Sequence, residues 1–91
     1  MAYKLVIKPD AEKELREALV WYDLQRDGLG SELYYEILEI MEKIKSNPNH
    51  FQKRYKDFRI SFTKRFKYGV HYTVEGEVVY VHAILHTSKR P

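Results

Sequence analysis

The residues with the most chemical potential sit in the second half of the chain: Arg59, Ser61, Arg65, Lys67, His71, Tyr80, His82 and His86. Phosphate binding and phosphoryl chemistry need cations that offset developing negative charge and a group that titrates near neutrality to move a proton. Arg, Lys and His supply both. An ordinary solvent-facing sheet also tolerates Lys, Arg, Thr and His, so the residue types alone leave a site and a plain surface both open. His82 and His86 are four apart, which on a strand separates them by about 13 Å, too far to share a metal. The chain has no glycine-rich phosphate loop, no nucleophile elbow and no paired carboxylates on the basic segment, so no cofactor and no metal are expected. From His50 to Tyr68 seven cations interleave with six Phe or Tyr, a composition found on single-stranded nucleic-acid surfaces, although most of these aromatics already have a core role by alternation.

Positioning these groups requires a sheet, and the sequence supplies one. Tyr3, Leu5 and Ile7 alternate with Lys4 and Lys8, as in a strand with one buried face. Pro9 suits the first turn of a helix, and Asp10, Glu12 and Glu14 place negative charge at its positive end. Its apolar stripe is Ala11, Leu15, Ala18, Leu19 and Tyr22. After Gly28-Leu29-Gly30 a second helix is expected from Ser31 to Asn47-Pro48, with the stripe Leu33, Ile37, Ile40, Met41 and Ile44. The two should form an antiparallel hairpin packed on the sheet.

From Phe58 the period becomes two. Phe58, Ile60 and Phe62 alternate with Arg59, Ser61 and Thr63; Phe66, Tyr68, Val70, Tyr72 and Val74 alternate with Lys67, Gly69, His71 and Thr73. With Glu75-Gly76 as a two-residue turn, Tyr72 should face Val79, Val70 face Val81, Tyr68 face Ala83 and Phe66 face Leu85. The expected architecture is α+β: an N-terminal strand and a two-helix hairpin on one face of a small, mainly antiparallel four-stranded sheet. The opposite face would then carry the cations and imidazoles.

The chain has 91 residues, 16 Lys and Arg against 13 Asp and Glu, and no Cys. Residues 1–91 are read as one domain, since at this size only about 60–70% of the unfolded chain's surface is buried and one core is what that allows. Without cysteine there is no disulfide framework, iron–sulfur cluster or thiolate zinc site. No apolar run approaches a membrane span and Met1–Asp10 lacks a secretory signal's apolar stretch, so the expected location is cytoplasmic, with no membrane partner. Charge is divided unevenly: residues 1–47 hold seven basic and ten acidic residues, residues 48–91 nine and three. The second half should therefore present a basic surface to phosphates or an acidic partner.

Trp21-Tyr22 late in the first helix, Gly28-Leu29-Gly30 at the hairpin, Asn47-Pro48 closing the second helix, Arg59, Arg65-Phe66-x-Tyr68-x-Val70-x-Tyr72 and Ala83-Ile84-Leu85-His86 occur in an order that resembles the RelE/ParE superfamily of bacterial toxins, closest to its ParE-like branch. Lys67 stands where that branch usually has Pro, and Lys89 where it usually has Arg. The resemblance implies the toxin of a type II toxin–antitoxin pair, associated with growth inhibition and plasmid stabilisation. An antitoxin would silence it and could build a higher assembly. Trp21, Leu24, Tyr34 and Tyr35 lie outside the two apolar stripes and are the expected antitoxin contacts, for which an acidic-amphipathic partner helix is anticipated. ParE-like members poison DNA gyrase, and this reading is favoured, with Arg59, Arg65, Lys67, His71, His82, His86, Lys89 and Arg90 as target contacts. The alternative is a RelE-like, metal-independent nuclease cutting mRNA on the ribosome, with His86 as general acid or base and Arg59 and Arg65 as oxyanion stabilisers. A non-toxic nucleic-acid-binding domain would need only the basic face.

Overall fold

The computed structural model describes residues 3–88. In chain order the elements are β1 (Lys4–Ile7), α1 (Pro9–Gln25), α2 (Leu29–Ser46), a 3-10 turn (Pro48–His50), β2 (Lys53–Tyr55), β3 (Phe58–Phe62), β4 (Tyr68–Glu75) and β5 (Val78–His86). The sheet has the order β1-β5-β4-β3-β2, with β1 parallel to β5 and every other neighbour antiparallel. It is therefore an α+β fold of the expected kind with five strands instead of four.

The helices form where their stripes predict. Pro9 occupies the first turn of α1, where its missing N–H costs nothing, with Asp10 and Glu12 beside it. Ala11, Leu15 and Ala18 of α1 and Leu33, Ile37, Ile40, Met41 and Ile44 of α2 are buried against Val70, Tyr72, Val79, Val81 and Ile84 of the sheet. Between the helices the break is narrower than the glycine pair implies. Gly28 caps α2 at a φ of 85°, which an L side chain adopts only with strain, and the helix starts at Leu29 rather than Ser31. Gly30 lies inside α2 because α1 leaves no room for a side chain there: a Cβ would stand 2.5 Å from the Leu19 carbonyl oxygen. Its N–H donates to Asp23 Oδ1 at 2.8 Å.

The strand missing from the sequence reading is β2. It is three residues long, carries two cations and shows no apolar alternation, and it turns into β3 through Lys56 at a φ of 46°. The β4–β5 register also differs from expectation. Glu75 pairs with Val78, so the loop is Gly76-Glu77, with Gly76 at a φ of 61° in the first loop position that a II′ turn favours. Tyr72 consequently faces Val81, and Val74 faces Val79. A bulge then inserts His82 between the pairs Tyr72–Val81 and His71–Ala83. Past the bulge the faces exchange: Ile84 enters the core opposite Val70, and the expected core places of Ala83 and Leu85 are corrected. Phe66, Val70 and Tyr72 are buried on the helix side as expected, and Tyr68 packs there on Tyr22.

The largest correction concerns β3. Arg59 is directly opposite Tyr72, and Ser61 opposite Val70, so both point to the helix side; Phe58, Ile60 and Phe62 point to the other. Alternation gave the right period but the wrong face, because the sheet's second face is itself apolar and aromatic. Gly69 belongs to this packing: a Cβ on it would stand 2.9 Å from the Ile60 side chain.

Candidate functional site

The eight residues expected to share one basic face are divided among separate environments. Arg59, on the helix side, donates to the Phe51 carbonyl at 2.6 Å and to Asn49 Oδ1 at 3.3 Å. It braces the segment after the 3-10 turn, where the Tyr72 hydroxyl donates to the Pro48 carbonyl at 2.6 Å. Burial pushes the Tyr72 phenol up to about 12, with nearby Arg59 opposing the shift, so it stays a donor at any physiological pH.

Arg65 lies in the loop before β4 and reaches α2. Its guanidinium binds the Glu32 carboxylate, its backbone N–H donates to Glu36 Oε1 at 2.9 Å, and its charge lies 4.9 Å from the Phe66 ring centre. Arg26 binds the same carboxylate at 3.0 Å. The hydrogen bonds from Arg65 and then Arg26 hold Glu32 below the usual carboxylate range, and Glu32 holds Arg65 above its own. Both sequence-predicted arginines are thus engaged with this chain's own groups.

The face away from the helices is an aromatic and imidazole surface. His71 is 4% exposed, and its Nδ1 is 2.9 Å from the Tyr55 hydroxyl. Tyr55 stacks on Phe58 with centres 4.8 Å apart, and Phe58 meets His82 edge-on at 4.9 Å. His82 Nε2 is 2.8 Å from Thr73 Oγ1. Burial pushes both imidazoles below the ordinary histidine value; for His82 the neighbouring Lys8 adds to this and Glu75 opposes it. Lys8 itself lies over the Tyr80 ring, 5.4 Å from its centre. This surface holds neutral imidazoles at neutral pH, where a cationic one was expected.

His86 is elsewhere again. It lies opposite Tyr68 on β4, meets that ring edge-on at 5.3 Å, and its Nδ1 is 2.9 Å from Ser88 Oγ. It opens on a cleft of about 540 Å³ between α1 and the end of β5, lined also by Glu14, Glu17, Trp21 and Tyr22. Its companions are carboxylates and aromatics. Neither Arg59 nor Arg65 lines this cleft. Lys67, at a φ of 57°, accepts the Thr87 N–H at its carbonyl oxygen at 2.7 Å. Lys89 and Arg90 lie outside the described residues.

Sequence reasoning missed Glu14, whose Oε1 accepts the Ile84 N–H at 2.9 Å, on the stretch of β5 that β1 is too short to cover. Its signal was there to be read, since Glu14, Glu17 and Trp21 follow one another at helical spacing on the flank of the α1 stripe. The expected partner contacts fare differently. Trp21 is 55% exposed, Leu24 78%, Tyr34 40% and Tyr35 69%, and Val20 and Leu38 join them as exposed apolar side chains of the helix layer. Among the described residues no three His, Cys, Asp or Glu side chains are placed to hold a metal, and no helix is long and apolar enough to cross a membrane.

Three comparisons bear on this arrangement. No curated protein matches the chain by sequence. A solved chain described as the chromosomal ParDE TA system from P. aeruginosa superposes with a TM-score of 0.82 over 93% of this chain and 96% of its own, at 15% identity. This shows a shared fold. The profile of the family described as "ParE toxin of type II toxin-antitoxin system, parDE" matches residues 5–91. The five-stranded sheet, its helix hairpin and that match together place this chain in the ParE toxin family.

Proposed function

We propose that this chain acts in the cytoplasm as a toxin that arrests growth by binding DNA gyrase, and that a cognate antitoxin silences it. The observation that carries the reading is the family match across residues 5–91. That neither Arg59 nor Arg65 lines the cleft on which His86 opens supports a binding poison over a nuclease, because general acid–base catalysis and oxyanion stabilisation must act on one reacting phosphate. Each of the three has other partners: Tyr68 and Ser88, Phe51 and Asn49, Glu32.

The antitoxin would cover Trp21, Leu24, Tyr34 and Tyr35, whose exposure is costly for a chain that remains alone. Lys67, Lys89 and Arg90 remain as target contacts, with His82 and His86 at partly exposed positions; His71 is too buried to serve. Residues 1–91 would act as one domain. Purified protein titrated into a gyrase supercoiling reaction tests this reading: inhibition is expected, and its relief by the product of the adjacent gene. Full gyrase activity at saturating protein would remove the proposal.

A further inference from the structure

Charge on the helix layer opposes charge on the rest of the molecule. Residues 9–46 contain ten acidic and five basic side chains, whereas residues 48–91 contain three and nine. Of the five helix cations, Arg16 is paired with Glu12, Arg26 with Glu32 and Lys45 with Glu42. Glu17, Asp27 and Glu39 make no ion pair among the described residues.

The exposed apolar side chains sit within this acidic layer. Val20 and Leu24 are one turn apart on α1, as are Tyr34 and Leu38 on α2. A depression on each side of α1 borders the Val20–Leu24 ridge. One is the cleft with Glu14, Glu17 and Trp21; the other, about 260 Å³, lies between the helices and is lined by Leu19, Asp23 and Tyr34. Both rims carry carboxylates. An acidic-amphipathic partner would bring its charges against them, and like charges brought together across an interface repel.

We propose that the segment covering this helix face is a basic-amphipathic one, with apolar residues over Val20, Trp21, Leu24 and Tyr34 and Lys or Arg over the carboxylate rims. It rests on the antitoxin reading and reverses the charge that overall composition suggested for the partner. The acidic partner surface that net charge favours would meet the sheet and the loops, away from the helices.

Trp21 is the chain's only tryptophan, so its emission reports directly on this face. Two helical peptides of roughly 20 residues, sharing one leucine stripe and carrying Lys and Arg or Glu on its flanks, are titrated into the full chain. The cationic peptide is expected to shift Trp21 emission to the blue and to bind at least about tenfold tighter at low salt, the advantage shrinking as salt approaches about 0.5 M. In the variant Glu17→Lys, on the rim of the larger cleft, the advantage of the cationic peptide should shrink at low salt. Equal or tighter binding of the anionic peptide overturns the inference, as does an unmoved Trp21 emission with both. Emission that shifts with the chain's own concentration overturns it too, marking a second copy as the occupant. Growth rescue by the adjacent gene product reads the antitoxin role separately: rescue combined with preference for the anionic peptide overturns the charge assignment alone.

Discussion

His71 has almost no contact with water, and its Nδ1 is met by the Tyr55 hydroxyl while Phe58 and His82 occupy the same sheet face. Burial holds its folded pKa below the unfolded value, so between the two the unfolded chain binds the extra proton. The stability it contributes is therefore complete above the unfolded value of about 6.5 and is lost as pH falls from there through the folded pKa. His82, shifted the same way, should add to the slope. Urea midpoints at about pH 7.5 and 5.5 should fall for the wild-type chain and fall less for His71→Gln, which keeps an acceptor for Tyr55. Identical slopes would show that the imidazole is not buried neutral. Tyr72 is the second residue of this kind. Tyr72→Phe removes the donor to the Pro48 carbonyl and should cost about 1–2 kcal/mol in a denaturant titration, with the fold retained. These partners could not be read from the sequence. Alternation placed His71 on a face, but the short aromatic strand segment that covers it comes from residues with no strand signal of their own.

At the scale of elements, the helices were legible because their apolar stripes persist over about three turns each. Their junction was less so. Glycine at 28 and at 30 looks alike in sequence, yet one provides a left-handed backbone and the other a close helix approach. The two should respond differently to substitution. Gly28→Ala meets open space and should lose about 1 kcal/mol from backbone strain. Gly30→Ala must displace the Leu19 carbonyl or the Asp23 carboxylate and should lose about 1–3 kcal/mol, with α1 and α2 separating slightly. Thermal unfolding of the two variants orders them, and a costlier Gly28→Ala would contradict this packing. The sheet register was illegible for a related reason. A turn fixes only the pairs beside it, and the extra residue His82 exchanges the faces of β5 midway, so period-two reasoning carried past it assigns Ile84 to the wrong side.

For the whole molecule, charge division was visible in sequence and survives folding as an acidic helix layer joined to a basic second half. What composition does not contain is how the cations are spent. Arg59 and Arg65 brace the 3-10 segment and the loop before β4, so a count of basic residues overstates the surface left for a target. The ParE family assignment and the distribution of these groups make binding the central claim about function. It is tested most directly by inducing the wild-type chain and His86→Gln in parallel cultures while following plasmid supercoiling and bulk translation. Supercoiling should fall before translation in the wild type, and His86→Gln should weaken the effect only in step with its gyrase affinity. Translation failing first, with ribosome-dependent mRNA cleavage by the purified protein that His86→Gln abolishes and gyrase unaffected, would contradict the account.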